Sequence, residues 1–225
     1  MSQASTPTLF SFPVPAKVGR VVPKSKIYQH SPVNAVLKDK FVTQVEQITW
    51  AYKLAPETIN LPARGGVAEV QIFDIVLKTT ELDEDVLRAI DRAIPLPIIF
   101  QLQHEQRTRM VAAFKRPSDA DASKWVIDGY FTGPWLPADT ELQPLPVALD
   151  LYGLYEHLLR GLLPQPARPG ESLLEQLERL NRLRSRQSEH AKLEARLRKE
   201  IQFNRKVALN AQLREIQNEI AELSA

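Results

Sequence analysis

Two acidic residues and a lysine lie on or beside the most apolar segment of the chain, where a metal-dependent nuclease would carry its catalytic groups. Glu69, Asp74 and Lys78 are residue types that hold Mg²⁺ and activate water. Side chains two positions apart share a strand face, so Glu69 and Asp74 point to opposite faces of a regular strand. Asp74 and Lys78 share a face and are explained as a partnered pair. The spacing therefore argues against catalysis, and a divergent nuclease is the least supported functional hypothesis.

Other catalytic signatures are absent from the sequence. Gly65 and Gly66 stand without the lysine and hydroxyl residue of a phosphate-binding loop. The chain has no cysteine, which excludes disulfides and thiolate metal sites. The four histidines are scattered along the chain. We therefore predict no catalytic residue, no metal ligand and no cofactor.

Basic and aromatic residues in the first third of the chain suggest a second kind of chemistry. A phosphate backbone is bound by cationic side chains, with aromatic rings as stacking surfaces. The alternative is that these lysines lie at strand ends with their alkyl stems packed on apolar surface. The candidate residues for nucleic-acid binding are Lys24, Lys26, Tyr28, Lys53 and Arg64, together with the pair Arg205 and Lys206 near the end of the chain.

The elements that would position these groups divide into a mixed body and a helical end. No proline follows Pro169 and no glycine follows Gly170, and the remaining residues are good helix formers. One unbroken helix here would be roughly 80 Å long, about twice the width of a compact domain of this size. This segment must therefore project, fold back as a hairpin, or pair with another helix.

Apolar residues in this segment recur every three or four positions, which is the spacing of a coiled-coil seam. The stripe has no apolar anchor between Ser185 and Ser188, where we expect either a hairpin turn or a skip in register. Lone amphipathic helices are marginal in water, so the stripe needs a cover. The protein's own body, a partner and a second copy of the chain are the alternatives. The predicted partner-binding residues are Leu193, Leu197, Ile201, Phe203, Val207, Leu213, Ile216, Ile220 and Leu223.

The body has the pattern of an α+β fold, with a mixed β-sheet and two or three helices. We predict strands at Ile48–Leu54, Val67–Leu77, Ile98–Leu102, Arg109–Lys115 and Lys124–Phe131, with extended segments at Leu9–Val22 and Val21–His30. The predicted helices begin at Ser31-Pro32, cover Leu82–Ile94 and cover Pro146–Leu163. Residues 1–8 are predicted to be disordered, and Pro117–Ser123 to be a loop. The predicted divisions are a body at 1–132, a proline-rich linker with one apolar helix at 133–168, and a helical coiled-coil tail at 169–225.

Composition excludes the extreme classes of protein. The net charge of +2 is too small to indicate nucleic acid or acidic partners on its own. The first residues lack the basic start and apolar centre of a signal peptide, and no run approaches the roughly 18 apolar residues of a membrane span. We expect a soluble cytoplasmic protein with no membrane partner.

Six segments of the chain, taken together and in order, resemble those of a known family, although no single segment is diagnostic. They are Pro23–Tyr28, Ile48–Pro56, Thr58–Leu61, Ile90–Pro95, Pro97–Phe100 and Lys199–Asn210. The set resembles a prokaryotic family designated a domain of unknown function, number four-three-nine-one. The likeness extends from about Leu9 to the end of the chain.

Members of that family tend to be encoded beside helicase and DNA-methyltransferase subunits of anti-phage, restriction-type gene cassettes. The resemblance therefore implies a non-catalytic accessory subunit of a defence complex, with a helicase-type ATPase as its partner and DNA as a further one. It supplies no catalytic residue. Phe203 and Val207 lie four positions apart beside Arg205 and Lys206. Such a helix face suits docking on an acidic protein surface or a nucleic-acid backbone.

Overall fold

The computed structural model describes residues 8–117 and 125–225. Residues 1–7 of the segment predicted to be disordered and residues 118–123 of the predicted loop lie outside the described residues. The chain forms two compact units that divide between Leu163 and Pro164. The mixed sheet with its helices, and the long helical C-terminal region, confirm the predicted α+β fold class.

The first unit is built on a mixed sheet. The strands are β1 Phe10–Ser11, β2 Lys17–Val21, β3 Val45–Leu54, β4 Val70–Leu77, β5 Ile98–His104, β6 Arg107–Pro117, β7 Trp125–Thr132, β8 Leu136–Pro137 and β9 Gln143–Pro144, of which β1 and β9 form a separate parallel pair. The path of the main sheet is β2-β3-β4-β5-β6-β7, with β8 paired to β6. β4 and β5 are parallel, and the helix between them crosses over the sheet, while the other neighbours are antiparallel.

Three of the body helices pack against this sheet in one buried cluster. The body helices are α1 Lys24–His30, α2 Ala35–Gln44, α3 Pro56–Ile59, α4 Glu84–Ala93 and α5 Leu151–Arg160. Ile27 of α1, Phe41 of α2 and Ile90 of α4 join the sheet residues Phe73 and Phe100 in one buried cluster. Burial of apolar area at this scale supplies most of the driving force for folding.

Two segments differ from their sequence-based predictions. The segment expected to be extended up to His30 forms α1, because Ile27 packs into the main core although the segment shows no apolar helical period. The next helix begins at Ala35 and not at Ser31-Pro32. Asn34 caps it, since the Asn34 Oδ1 atom accepts a hydrogen bond of 2.8 Å from the Leu37 N–H.

The helix α5 belongs to the body unit and not to the predicted linker at 133–168. It begins after Asp150, whose side chain accepts a hydrogen bond of 2.8 Å from the Gly153 N–H. The Tyr155 hydroxyl donates to the Ala113 carbonyl and accepts a hydrogen bond of 3.1 Å from the Lys115 N–H. This buried tyrosine ties the helix to β6.

The second unit is a helical hairpin made of α6 Leu173–Lys199 and α7 Phe203–Ser224. Ser172 and Glu175 form a reciprocal capping box at the start of α6. The helix runs without interruption through Ser185–Ser188, so the turn predicted there as one alternative is wrong. Arg186 forms an ion pair of 2.7 Å with Glu219 of α7, which shows how a polar stretch can stay helical and still bind the second helix. The chain reverses at 200–202 instead.

In the described part of the chain, no helix combines the length and the apolar character that crossing a membrane requires.

Candidate functional surfaces

The tip of the hairpin exposes three large apolar side chains. Ile201, Phe203 and Val207 are 90%, 77% and 53% exposed. Glu200 shapes the turn, because its Oε1 atom accepts hydrogen bonds of 2.9 Å from the N–H groups of Ile201 and Gln202. These backbone hydrogen bonds lower the pKa of Glu200. The carboxylate thus stays ionised and holds the turn in the form that displays Ile201.

Positive charge surrounds the exposed apolar group. From Arg196 to Lys206 the chain carries five basic residues and one acidic residue, a local excess of four positive charges. The Arg198 and Arg205 side chains are 79% and 69% exposed, and the distance from Arg205 to the Glu200 carboxylate is 4.0 Å. A long ion pair at such exposure contributes little to stability. These cations are therefore available to a partner.

The other predicted partner-binding residues cover one another. Leu193, Leu213 and Ile216 are buried in a cluster between the two helices, and Leu197, Leu209 and Ile220 pack against that cluster. Leu223 is half-buried, and its carbonyl accepts a hydrogen bond of 3.1 Å from Arg179. The predicted stripe thus divides into an internal seam and an exposed tip. Its role in partner binding stays a prediction, and the tip is the part that a partner can reach in the free chain.

The predicted basic patch is dispersed. Lys24 donates to the Val45 carbonyl, and burial lowers the pKa of Lys24, as does the positive charge of Lys78. Lys53 lies 2.7 Å from Glu57 and 3.0 Å from Glu69, and these hydrogen bonds raise the pKa of Lys53. The Tyr28 ring packs edge-on against Phe41, and Arg64 lies beside the Gly65-Gly66 turn in a backbone bridge to Val67. Of the three predicted body lysines, Lys26 is exposed, and its side chain makes no hydrogen bond or ion pair with any described residue.

The three residues of the nuclease hypothesis have separate partners. Glu69 accepts from Gln71 at 2.8 Å and pairs with Lys53. Asp74 accepts from Gln101 at 3.1 Å, and burial raises the pKa of Asp74 to about 6. Lys78 donates to the Val42 carbonyl at 2.9 Å near the end of α2. Lys78 thus binds helix α2, and the predicted pairing of Lys78 with Asp74 is wrong.

A cavity of about 300 Å³ lies between α1, the β3–β4 pair and the end of α4. Trp50 and Phe73 line it together with aliphatic side chains of Val22, Ile27, Ala93, Ile94 and Leu96. Lys26, His30, Glu69 and Gln71 add polar groups. The Trp50 Nε1–H donates to Gln71 at 2.7 Å, which fixes the ring at one wall. Three segments of the family resemblance meet here, contributing Lys26, Trp50 and Ile94.

The sequence pattern does not indicate this cavity as a unit. Lys26 and His30 are four positions apart, which places them on one face of a helix. The pattern of the segment up to His30 favours an extended conformation, in which this spacing has no such meaning. Trp50 and Gln71 come together only through the pairing of β3 with β4.

A buried ion pair links the sheet to the end of α4. The Lys115 Nζ atom lies 2.6 Å from the Asp91 Oδ1 atom, and both side chains are 1% exposed. Lys115 also donates to the carbonyls of Asp91, Ile94 and Leu96 at 3.2, 2.9 and 2.6 Å. The Tyr130 hydroxyl donates to the second Asp91 oxygen. Because the Lys115 and Asp91 side chains are paired with each other and closed to solvent, this pair is structural.

Within residues 8–117 and 125–225, no group of three or more histidine, aspartate or glutamate side chains could hold a metal ion.

Comparison with known proteins gives a family and nothing beyond it. No curated protein and no solved structure matches the chain significantly. A family model described as "Domain of unknown function (DUF4391)" matches residues 10–220. Since that match covers nearly the whole chain, the protein belongs to the DUF4391 family.

Proposed function

We propose that this protein is a non-catalytic interaction subunit whose hairpin tip docks into an acidic, apolar-floored groove of a larger partner protein. The main support for this proposal is the exposure of Ile201, Phe203 and Val207 at the tip of the hairpin formed by α6 and α7. Full burial of a side chain of this size contributes about 1.5–3 kcal/mol. Three such side chains at one turn supply enough apolar area for a hot spot.

Charge determines the chemistry expected of the partner. The tip carries an excess of four positive charges around its apolar group. Complementary carboxylates on the partner would speed association and orient the hairpin. Two of the three apolar tip residues are aliphatic, and such side chains offer no stacking surface for a base, so a protein groove fits them better than single-stranded nucleic acid.

The family resemblance supports a choice of partner. It implies a helicase-type ATPase encoded beside this protein in an anti-phage, restriction-type cassette. On this proposal the protein acts in the cytoplasm as an accessory subunit of that complex. Self-association through α6 and α7 is less favoured, because the seam residues Leu193, Leu213 and Ile216 already cover one another.

The test is co-purification of the full chain with the neighbouring helicase-type ATPase. The triple variant Ile201→Ser, Phe203→Ser, Val207→Ser is expected to lose the complex. A matched triple variant, Val14→Ser, Val147→Ser, Leu149→Ser, removes three highly exposed apolar side chains from the body and is expected to retain it. Retention of the complex by the tip variant, with an unchanged dissociation constant, would refute the proposal.

Nucleic-acid binding is the competing outcome, and a charge variant separates it. Arg198→Ala with Arg205→Ala removes two exposed cations and leaves the apolar residues. Direct DNA binding would appear as a gel shift at low salt that weakens steeply with added salt and disappears in this variant. If the apolar triple variant still shifts DNA in the gel while the charge variant does not, the tip binds DNA. A DNA complex that depends only on Lys24, Lys26 and Lys53 would likewise count against a binding role for the tip.

A further inference from the structure

We infer that the cavity lined by Trp50, Phe73 and Ile94 is a binding site for a small amphipathic anion, one with an aromatic or branched apolar body and a single carboxylate or similar head group. This site is independent of the hairpin tip. A cavity of about 300 Å³ holds one bicyclic ring system, and it lies at the lower end of the range for small-molecule sites.

The residues that line the walls of the cavity favour a ligand with an apolar body. Phe73 and Ile27 are almost fully buried and form part of the main core, so the floor is rigid. Trp50 is half-buried, and its hydrogen bond of 2.7 Å to Gln71 fixes the indole plane. Gln71 is held in turn by the Glu69 carboxylate at 2.8 Å. A flat ring can thus enter a preformed slot without first ordering its walls, which lowers the entropic cost of binding.

The residues at the rim of the cavity favour a ligand with an anionic head group. Lys26 and His30 lie on one face of α1, four positions apart, and both line the cavity. Neither side chain makes a hydrogen bond or ion pair with another described residue. The acidic group at the same cavity, Glu69, is already paired with Lys53 at 3.0 Å. At the mouth, Lys26 offers a charged donor and the His30 ring can donate a second hydrogen bond, so the complementary head group is an acceptor carrying negative charge.

Three probes with one ring system and different charges test this inference on the full chain. They are naphthylacetate, naphthylacetamide and naphthylethylamine, which carry a negative, a neutral and a positive head. Titration calorimetry is expected to rank their affinities in that order, with the anion about tenfold tighter than the amide. Equal binding of the cationic probe, or no binding of the anion at millimolar concentration, would overturn the inference.

Two variants locate the binding. Lys26→Ala is expected to weaken naphthylacetate about tenfold and to remove the preference over the amide, whereas Lys192→Ala, at an exposed position of α6, changes neither. Ala93→Leu fills the cavity and is expected to abolish binding of all three probes, with circular dichroism confirming an unchanged fold. Probe binding that survives Ala93→Leu would contradict the site. Loss of partner capture in Ala93→Leu, with no probe binding to the wild type, would assign the cavity to a partner's side chain instead.

Discussion

Lys115 places its ammonium group where four oxygen atoms converge. Three are carbonyl oxygens at and just beyond the end of α4, and the fourth belongs to the Asp91 carboxylate. Carbonyls at a helix C-terminus carry partial negative charge and lack intrahelical donors. One lysine thus completes the α4 terminus, balances a buried carboxylate and links both to the sheet. Removing one partner of such a pair leaves the other charged and buried.

We therefore expect Lys115→Met to lower the free energy of unfolding by about 3–5 kcal/mol. Asp91 would lose its counter-charge, and three carbonyls would lose their donor. Urea denaturation followed by circular dichroism measures the change. Lys192→Met, at an exposed site, is the matched control and is expected to shift stability by less than about 0.5 kcal/mol. Equal stability of the two variants would contradict a structural role for the pair.

Asp74 gives a pH-dependent prediction. Its pKa in the folded protein is raised by burial to about 6, above the ordinary value near 4. The folded state therefore binds the proton more tightly than the unfolded state does. Wild-type stability should fall as the pH rises from about 4 to about 6, and then stay level with respect to this group.

Asp74→Asn removes that cost and keeps an acceptor for Gln101. We expect the variant to be more stable than the wild type by about 1–2 kcal/mol at neutral pH, after allowance for the water that still reaches the half-buried side chain. The advantage should vanish below pH 4, where both side chains are uncharged. Thermal unfolding across this pH range provides the measurement, and an advantage that is independent of pH would exclude the burial explanation.

At the scale of elements, the hairpin is closed at its open end by Arg179 of α6. The Arg179 guanidinium binds the Glu171 carboxylate at 2.7 and 2.9 Å and Gln165 at 2.9 Å. It also donates to carbonyls on both sides, at Pro166 (3.0 Å) and at Leu223 in the last turn of α7 (3.1 Å). The planar fork of arginine suits such a set of acceptors, and lysine could not replace it.

Arg179→Met is expected to destabilise the protein by about 2–3 kcal/mol, because several acceptors lose a charged donor. Its distinctive effect should be local. Amide hydrogen exchange in the last turn of α7 is expected to accelerate, while exchange in β4 and β5 stays unchanged. Arg182→Met, three positions further along α6 and exposed, is the control. Faster exchange spread evenly over the whole chain would show that Arg179 supports the fold in general and not the hairpin end.

The elements with strong local patterns could be predicted from the sequence. The helix α4 has acidic residues in its first turn and an apolar stripe of Val86, Leu87 and Ile90, and β4 is almost wholly apolar. The helix α1 could not be predicted, because its buried residue Ile27 has no apolar partner in its own segment. The position of the hairpin turn also depends on long-range contacts, since the choice between Ser185–Ser188 and 200–202 rests on the pairing of Leu193 with Leu213 and Ile216.

The candidate sites follow the same rule. The exposed tip could be partly predicted, because Phe203 and Val207 beside Arg205 and Lys206 form a local pattern. The cavity could not, since Trp50, Gln71 and Ile94 come from three separate elements. The partners of Lys24 and Lys53 are likewise fixed by tertiary contacts, so a basic patch read from sequence cannot distinguish free lysines from paired ones.

On the scale of the whole molecule, the seam and the tip of the hairpin should respond oppositely to mutation. Leu213→Ala opens a gap in the buried cluster between α6 and α7 and is expected to cost about 2–3 kcal/mol. The triple tip variant of Ile201, Phe203 and Val207 removes exposed side chains and should change stability by less than about 0.5 kcal/mol per site.

Differential scanning calorimetry together with partner capture distinguishes these outcomes. Leu213→Ala should lower the melting temperature, and the tip variant should lose the partner at an unchanged melting temperature. Loss of the partner only in variants that also melt early would mean that capture reports general unfolding. The tip would then have no specific role.

The uninterrupted course of α6 fixes a distance. Its 27 residues extend for about 40 Å from the capping box at Ser172 to the turn at Glu200. The hairpin thus acts as a molecular ruler, because a partner bound at its tip is held at a fixed distance from Ser172. Removing seven residues from each helix would preserve the register of the seam and shorten the ruler by about 10 Å. An assembly that depends on that spacing would lose activity even though both binding surfaces remained intact.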